Sequence, residues 1–193
     1  AFRNVAAAGC PPVLQDMEKV TNANRFPICE ASSAVVGEQL SGYSVIWIAA
    51  NWLTYQQKFP HFMTAFEATV RALAQGGRRV VLIGKGPVIN GYDRRCRQKS
   101  IVMPFLTCEY LSVPLSEDVA KINAQLEALA GRVPGVSYFD ANSYLCPNGS
   151  CPLEDDSGRL IYFDRSHLSL DASWRLGERI AATGVPEPFR RTE

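Results

Sequence analysis

The sequence predicts an α/β domain built on a mostly parallel sheet, with helices covering both faces. Three observations predict it. Two short apolar runs, Ser44 to Ala50 and Arg79 to Ile83, are rich in β-branched and aromatic residues, as in strands buried on both faces. Segments of helical period alternate with these runs, the order expected when crossover helices join parallel strands. The composition, 47% hydrophobic and 20% charged, is that of a globular chain rather than a disordered one.

Taken in order, Phe2 to Ala7 reads as a short strand that runs into a break at Pro11-Pro12. Ala31 to Leu40 reads as a helix closed near Gly42, ahead of the strand at 44–50. From His61 to Gln75 the period becomes helical, with Phe62, Phe66, Val70 and Leu73 on one face and Gly76-Gly77 ending the element. The strand at 79–83 follows, and then a long irregular stretch from Gly84 to Pro114. Ser116 is a good helix N-cap, and Glu117 and Asp118 suit the positive end of the helix dipole. Val119, Ile122, Leu126 and Leu129 form the inward face of that helix, and Val136 to Asp140 reads as the next strand. Residues 141–163 read as a loop with a turn at Asp156-Ser157-Gly158. A last helix is expected from Leu170 to Thr183, with Leu170, Trp174, Gly177 and Ile180 or Ala181 inward, stopped by Gly184 and Pro186. No repeat, low-complexity stretch or linker divides the 193 residues, so one domain over 1–193 is expected.

Charge and cysteines narrow the function classes. The formal net charge of +1 leaves no electrostatic footprint for nucleic acid. The densest basic group, Arg94, Arg95, Arg97 and Lys99, reads as a solvated face. No apolar run approaches the ~20 residues that span a bilayer. Ala7-Ala8-Gly9-Cys10 looks like a lipidation site but lacks the basic and apolar segments that must precede one. The six cysteines fall as three near pairs, Cys10 and Cys29, Cys96 and Cys108, Cys146 and Cys151. None has Cys-x-x-Cys spacing and only two histidines exist, so disulfides are favoured over zinc and a secreted or periplasmic location follows. Several connectivities are open, and sequential pairing rests on proximity alone.

In open parallel sheets ligands collect beyond the carboxyl ends of the strands. Asn51 and Trp52 follow one strand, Gly84 to Pro87 follow another, and Asp164 to His167 precede the last helix. The spacing Asp164-x-x-His167 has a physical use. In a tight loop the carboxylate can turn back onto Nδ1–H, fix the tautomer and leave Nε2 to take a proton from a nucleophile. The plain alternative is a helix-capping Asp164 beside a surface His167. Trp52 and Tyr55 are candidates for a sugar-binding platform, with core packing the stronger competitor. His61, with no acidic partner nearby in sequence, reads as structural or solvent-facing.

The stretch Leu160-Ile161-Tyr162-Phe163-Asp164-Arg165-Ser166-His167-Leu168-Ser169, followed by Asp171-Ala172, closely resembles the C-terminal signature of SGNH (GDSL-type) esterases and acyltransferases. It looks most like the extracytoplasmic domain fused to bacterial acyltransferase-3 membrane proteins. Ala50-Asn51-Trp52, the Cys146 and Cys151 pair, and Cys10-Pro11-Pro12 with Cys29 are similar too. The resemblance implies a three-layer α/β/α, flavodoxin-like fold with no metal and no cofactor. It implies His167 as general base, Asp164 as its orienting acid and Asn51 as an oxyanion donor. It also implies an N-terminal membrane acyltransferase partner and a cell-surface glycan acceptor for an acyl group, most simply acetyl. A glycan O-acetyl esterase of the same fold and a non-catalytic glycan-binding or assembly module are the alternatives.

One part of that pattern is missing. The chain contains no Gly-Asp-Ser and no Gly-x-Ser-x-Gly. Ser32 and Ser33 have no strand before them, and Ser166 and Ser169 lie too close to His167 to stand in. The expectation is a fragment whose first strand and nucleophile lie upstream, inactive or nearly so alone. A lineage that has lost the nucleophile is the other possibility.

Overall fold

The computed structural model describes residues 3–5, 7–108 and 112–184, apart from the side chain of Ser41. The elements are α1 (Phe26–Gln39), β1 (Val45–Ile48), α2 (Trp52–Lys58), α3 (Phe62–Ala74), β2 (Arg79–Ile83), α4 (Cys96–Val102), β3 (Ser112–Pro114), α5 (Glu117–Arg132), β4 (Val136–Phe139), α6 (Asn142–Leu145), β5 (Ser150–Pro152) and α7 (Leu170–Ala182). The class is mixed α/β with a parallel sheet, as predicted. The chain divides into two compact units: Ala1–Lys85 with Ile122–Phe139, and Gly86–Lys121 with Asp140–Glu193.

The first unit holds the parallel sheet, in the order β1-β2-β4, with Val45 beside Arg79 and Val80 beside Val136. Central β2 buries Val80, Val81 and Leu82 completely. The expectation of burial on both faces fails for β1, because it is the edge strand of this sheet and Trp47 is half exposed. The expected face of α3 is correct: Phe62, Phe66, Val70 and Leu73 are buried, stacked on Val80, Leu82 and the α5 residues Ile122, Leu126 and Leu129. Apolar burial of this kind stabilises by about 25 cal/mol per Å² removed from water.

Two expectations near the N-terminus need correction. Arg3, Asn4, Val5 and Ala7 are not in a strand, and the rest of the expected Phe2–Ala7 strand lies outside the described residues. Arg3 instead donates its guanidinium to Gln39 of α1 at 2.6 Å. Helix α1 begins at Phe26, not Ala31, because Pro27 in the first turn costs no helical hydrogen bond and carries the preset φ a helix needs. Cys10 is joined to buried Cys29, which ties the segment containing Val13, Met17 and Val20 onto the core.

The second unit is built on short elements and two disulfides, Cys96–Cys108 and Cys146–Cys151. Strands β3 and β5 pair antiparallel, Val113 opposite Cys151. These elements, with α4 and α6, lie in the stretches read from sequence as irregular. Each is three to seven residues long, too short to show a period. Its apolar clusters are Ile89, Leu153 and Tyr162, and Leu145, Cys146 and Cys151, with Leu168 against both.

The expected inward face of α7 is wrong. Leu170 and Trp174 are 78% and 71% exposed, and Gly177 is exposed as well. Ala172 is buried and Leu176 packs on the Leu145 cluster instead. Arg175 on that inner side pairs with Asp155, outside the helix, and with Asp171 one turn earlier in α7, so a charged side chain takes a place that the apolar pattern gave to Trp174. All six cysteines are in disulfides, which fits an oxidising, extracytoplasmic compartment. No helix among the described residues is long and apolar enough to cross a membrane.

Candidate functional site

The loop that carries Asp164 and His167 belongs to the second unit and is closed by its own backbone. Tyr162 and Leu168 form a bridge, Phe163 N donates to His167 O at 2.8 Å, and Ser169 N donates to Ile161 O at 2.8 Å. Buried Tyr162 anchors the base of the loop, with Tyr92 edge-on to its ring and the Tyr92 hydroxyl donating to Tyr162 O at 2.8 Å. Burial pushes the Tyr162 phenol up to about 12, so it stays neutral. Across the loop, Ile89 N donates to Arg165 O at 2.8 Å. Ser169 then caps α7, its Oγ accepting from Ala172 N at 3.1 Å.

Inside this frame Asp164 forms the turn that an Asp at a loop start favours. Its Oδ1 accepts the backbone N–H groups of Ser166 and His167, each at 2.9 Å. His167 Nδ1 stands 2.9 Å from Oδ1 and 2.8 Å from Oδ2. The carboxyl is lowered from 3.8 to about 2. The Ser166 amide contributes most, followed by the His167 ring and then the His167 amide. A charged Asp164 therefore holds the proton on Nδ1 and leaves Nε2 as the basic nitrogen. The imidazole is 75% exposed, open to a reacting partner. Phe163, beside the dyad, is half exposed with the Arg94 guanidinium 4.0 Å above its ring.

Three of the serines weighed from sequence are committed elsewhere. Ser166 turns its hydroxyl toward Asp164 Oδ1, at 3.4 Å, and Ser169 donates to Leu160 O at 2.9 Å while it caps α7. Ser33 donates to Val13 O at 3.0 Å.

In the first unit, Asn51 is exposed where the chain leaves β1, at the N-cap of α2, and its side chain makes no capping hydrogen bond. Trp52 corrects the sugar-platform expectation. Its ring is fully buried against Phe62 and Phe66, and Nε1 donates to Ile83 O at 2.9 Å. No face of it is available to a sugar. Tyr55 packs on Phe62 at 5.4 Å. His61 is exposed at the N-cap of α3, as expected.

A positioning residue missed from sequence is Asn123. Its Oδ1 accepts from Lys85 N at 2.7 Å and its Nδ2 donates to Lys85 O at 3.0 Å. It thereby pins the chain where it leaves β2, at the carboxyl end of the sheet. An Asn in the middle of a helix, next to the inward Ile122, was the available signal.

The model of the SGNH domain fused to AT3 domains matches residues 1–182. The chain belongs to this SGNH family. Among solved structures, the SGNH chain is similar to the periplasmic domain of the lipopolysaccharide acetyltransferase of Salmonella ser. Paratyphi A. The TM-score is 0.56 and the identity 16%, over 82% of this chain and 62% of that one. At that identity the likeness concerns the fold, and the SGNH chain spans under two thirds of that neighbour's length. No curated protein sequence matches it.

Proposed function

We propose that this chain is the extracytoplasmic SGNH part of a membrane O-acyltransferase, passing an acyl group, most simply acetyl, to a hydroxyl of a cell-surface glycan. The observation that carries this reading is the Asp164 carboxylate on His167 Nδ1, in a chain of the SGNH family whose model is described as fused to AT3 domains. The Salmonella neighbour, a lipopolysaccharide acetyltransferase domain, supports the same direction.

In this reading a serine hydroxyl attacks the acyl carbonyl while His167 Nε2 takes its proton, and the imidazolium returns that proton to the leaving group. Nε2 next takes the proton of the glycan hydroxyl as that oxygen attacks the acyl-serine, and the serine is released on reprotonation. Asp164 stays ionised throughout and stabilises the imidazolium. Asn51 is assigned to the developing oxyanion on the family resemblance, and an amide N–H can supply that hydrogen bond.

The 193 residues contain no Gly-Asp-Ser. We therefore place the acyl-carrying serine outside them, on a first strand of the same domain, and an acyltransferase-3 membrane domain as the acyl source. Comparing ester hydrolysis and acyl-serine trapping in this chain and in the full-length protein tests the reading. Acyl-enzyme in the full-length protein, lost on His167→Ala, and near-zero turnover by this chain are expected. Turnover by this chain that survives His167→Ala would sink the proposal.

A further inference from the structure

The disulfide Cys96–Cys108 closes a loop that carries large, exposed apolar side chains and part of a basic cluster. Helix α4 inside it buries none of its residues. At its carboxyl end Ile101 and Val102 are 82% and 78% exposed, and Phe105, just beyond, is 77% exposed. Large apolar side chains this bare, and this close together, mark contact surfaces rather than ordinary scatter.

The charge on the same loop says what kind of contact. Between Asp93 and Cys108 the sequence carries Arg94, Arg95, Arg97 and Lys99 against the single acid Asp93, a net +3. The whole chain is only +1, so its remaining residues sum to −2. Positive charge is thus concentrated beside the apolar tip. On the helix, Arg97 and Ile101 are four residues apart and Lys99 and Val102 three apart, so cation and apolar side chain share a face in both cases. Glu154 pairs with Arg97 and Asp93 with Lys99, so with Glu154 counted the loop keeps a net +2, carried by Arg95 and by Arg94, whose guanidinium lies over the Phe163 ring.

We propose that this loop is a membrane-contact element that inserts Ile101, Val102 and Phe105 into the interface of an anionic phospholipid bilayer. The cations beside them then meet the lipid phosphates. One apolar anchor holds a protein to a bilayer only marginally, and a basic patch is the usual second signal. Here both sit on a single stapled loop. A bare protein-binding patch would need the apolar tip but not the clustered charge, which is why the bilayer is the favoured occupant. The inference stands on this loop alone, independent of the chemistry assigned to Asp164 and His167.

The test is co-sedimentation of the chain with vesicles of phosphatidylcholine, with and without roughly one third phosphatidylglycerol. Partition onto the anionic vesicles only, weakened by salt, is expected. Ile101→Ser with Phe105→Ser should reduce it at least about tenfold. Arg95→Gln should reduce it about fivefold, the effect of one surface cation. All three positions are exposed, so thermal melting should be unchanged and folding is controlled for. As a second readout, the added fluorescence of Phe105→Trp should be quenched by brominated lipid. Partition that is absent, or that survives the two serine substitutions, overturns the proposal. So does a concentration-dependent dimer that those substitutions abolish and vesicles do not compete with.

Discussion

Asp164 Oδ1 lies 2.9 Å from the backbone nitrogen of His167 and 2.9 Å from its ring Nδ1, so one carboxylate oxygen holds both the main chain and the imidazole of the same residue. Substitutions at Asp164 can therefore be separated by which hold they break. Asp164→Asn keeps an oxygen for the amide but can leave the ring with the wrong tautomer. In the full-length protein we expect acyl transfer to fall by roughly a hundredfold to ten-thousandfold, with melting temperature nearly unchanged. Asp164→Ala removes both holds and should also loosen the loop, seen as faster amide exchange at Ser166 and His167.

The pH response of Asp164 has a fixed sign. Its folded value, about 2, lies below the ordinary 3.8, so the ionised form is favoured by folding. The stability this brings is present above about pH 4 and is lost as the pH falls toward 2. The Asp164 carboxyl carbon, followed by NMR, should show no titration step between pH 5 and pH 3 (the ordinary carboxyl range of about 4). A midpoint near 4 would contradict the turn geometry.

Trp52 is expected to behave as a core residue. Trp52→Ala should cost about 3–5 kcal/mol in urea unfolding, the range for truncating a buried aromatic. Trp52→Phe keeps most of the volume but leaves the Ile83 carbonyl without its indole donor, at about 1–3 kcal/mol. Glycan binding that weakens on Trp52→Phe while stability stays constant would return this residue to the ligand surface.

The chain after β2 should be sensitive to two changes that leave the dyad loop alone. Asn123→Ala strips a donor and an acceptor from Lys85, and a loss of about 1–3 kcal/mol is expected by denaturant titration. At Gly84 an added Cβ would meet the Tyr138 hydroxyl at 2.5 Å, so Gly84→Ala should destabilise and shift the Tyr138 ring signals. If Gly84→Ala melts at the wild-type temperature, the Gly84 to Tyr138 approach is not tight in solution.

What could be read from the amino-acid order tracked the strength of each local pattern. The repeat Phe62, Phe66, Val70, Leu73 is long enough to fix both helix and buried face, and five residues of Arg79 to Ile83 suffice for the central strand. The turn from Asp164 to His167 was visible because its contacts span only three residues. Helix α7 was visible as a helix but not in its rotation. Leu170 and Trp174 look inward by spacing, but the inner side is taken by Ala172, Leu176 and Arg175, whose pairing with Asp155 is not readable from helical period. Strand β3 and helix α4 depend on distant partners and on the Cys96–Cys108 link, so no local signal announced them. The role of Asn123 is hidden for a related reason: its partner, Lys85, is 38 residues away.

The bridge of Tyr162 to Leu168 has a corollary for changes in loop length. Because Asp164 and His167 sit on a loop closed by that bridge and by Phe163 N to His167 O, their mutual geometry is set within residues 161–169. A length change upstream of residue 161 is then expected to leave the Asp164 to His167 contact intact, and one between Ile161 and Ser169 to break it.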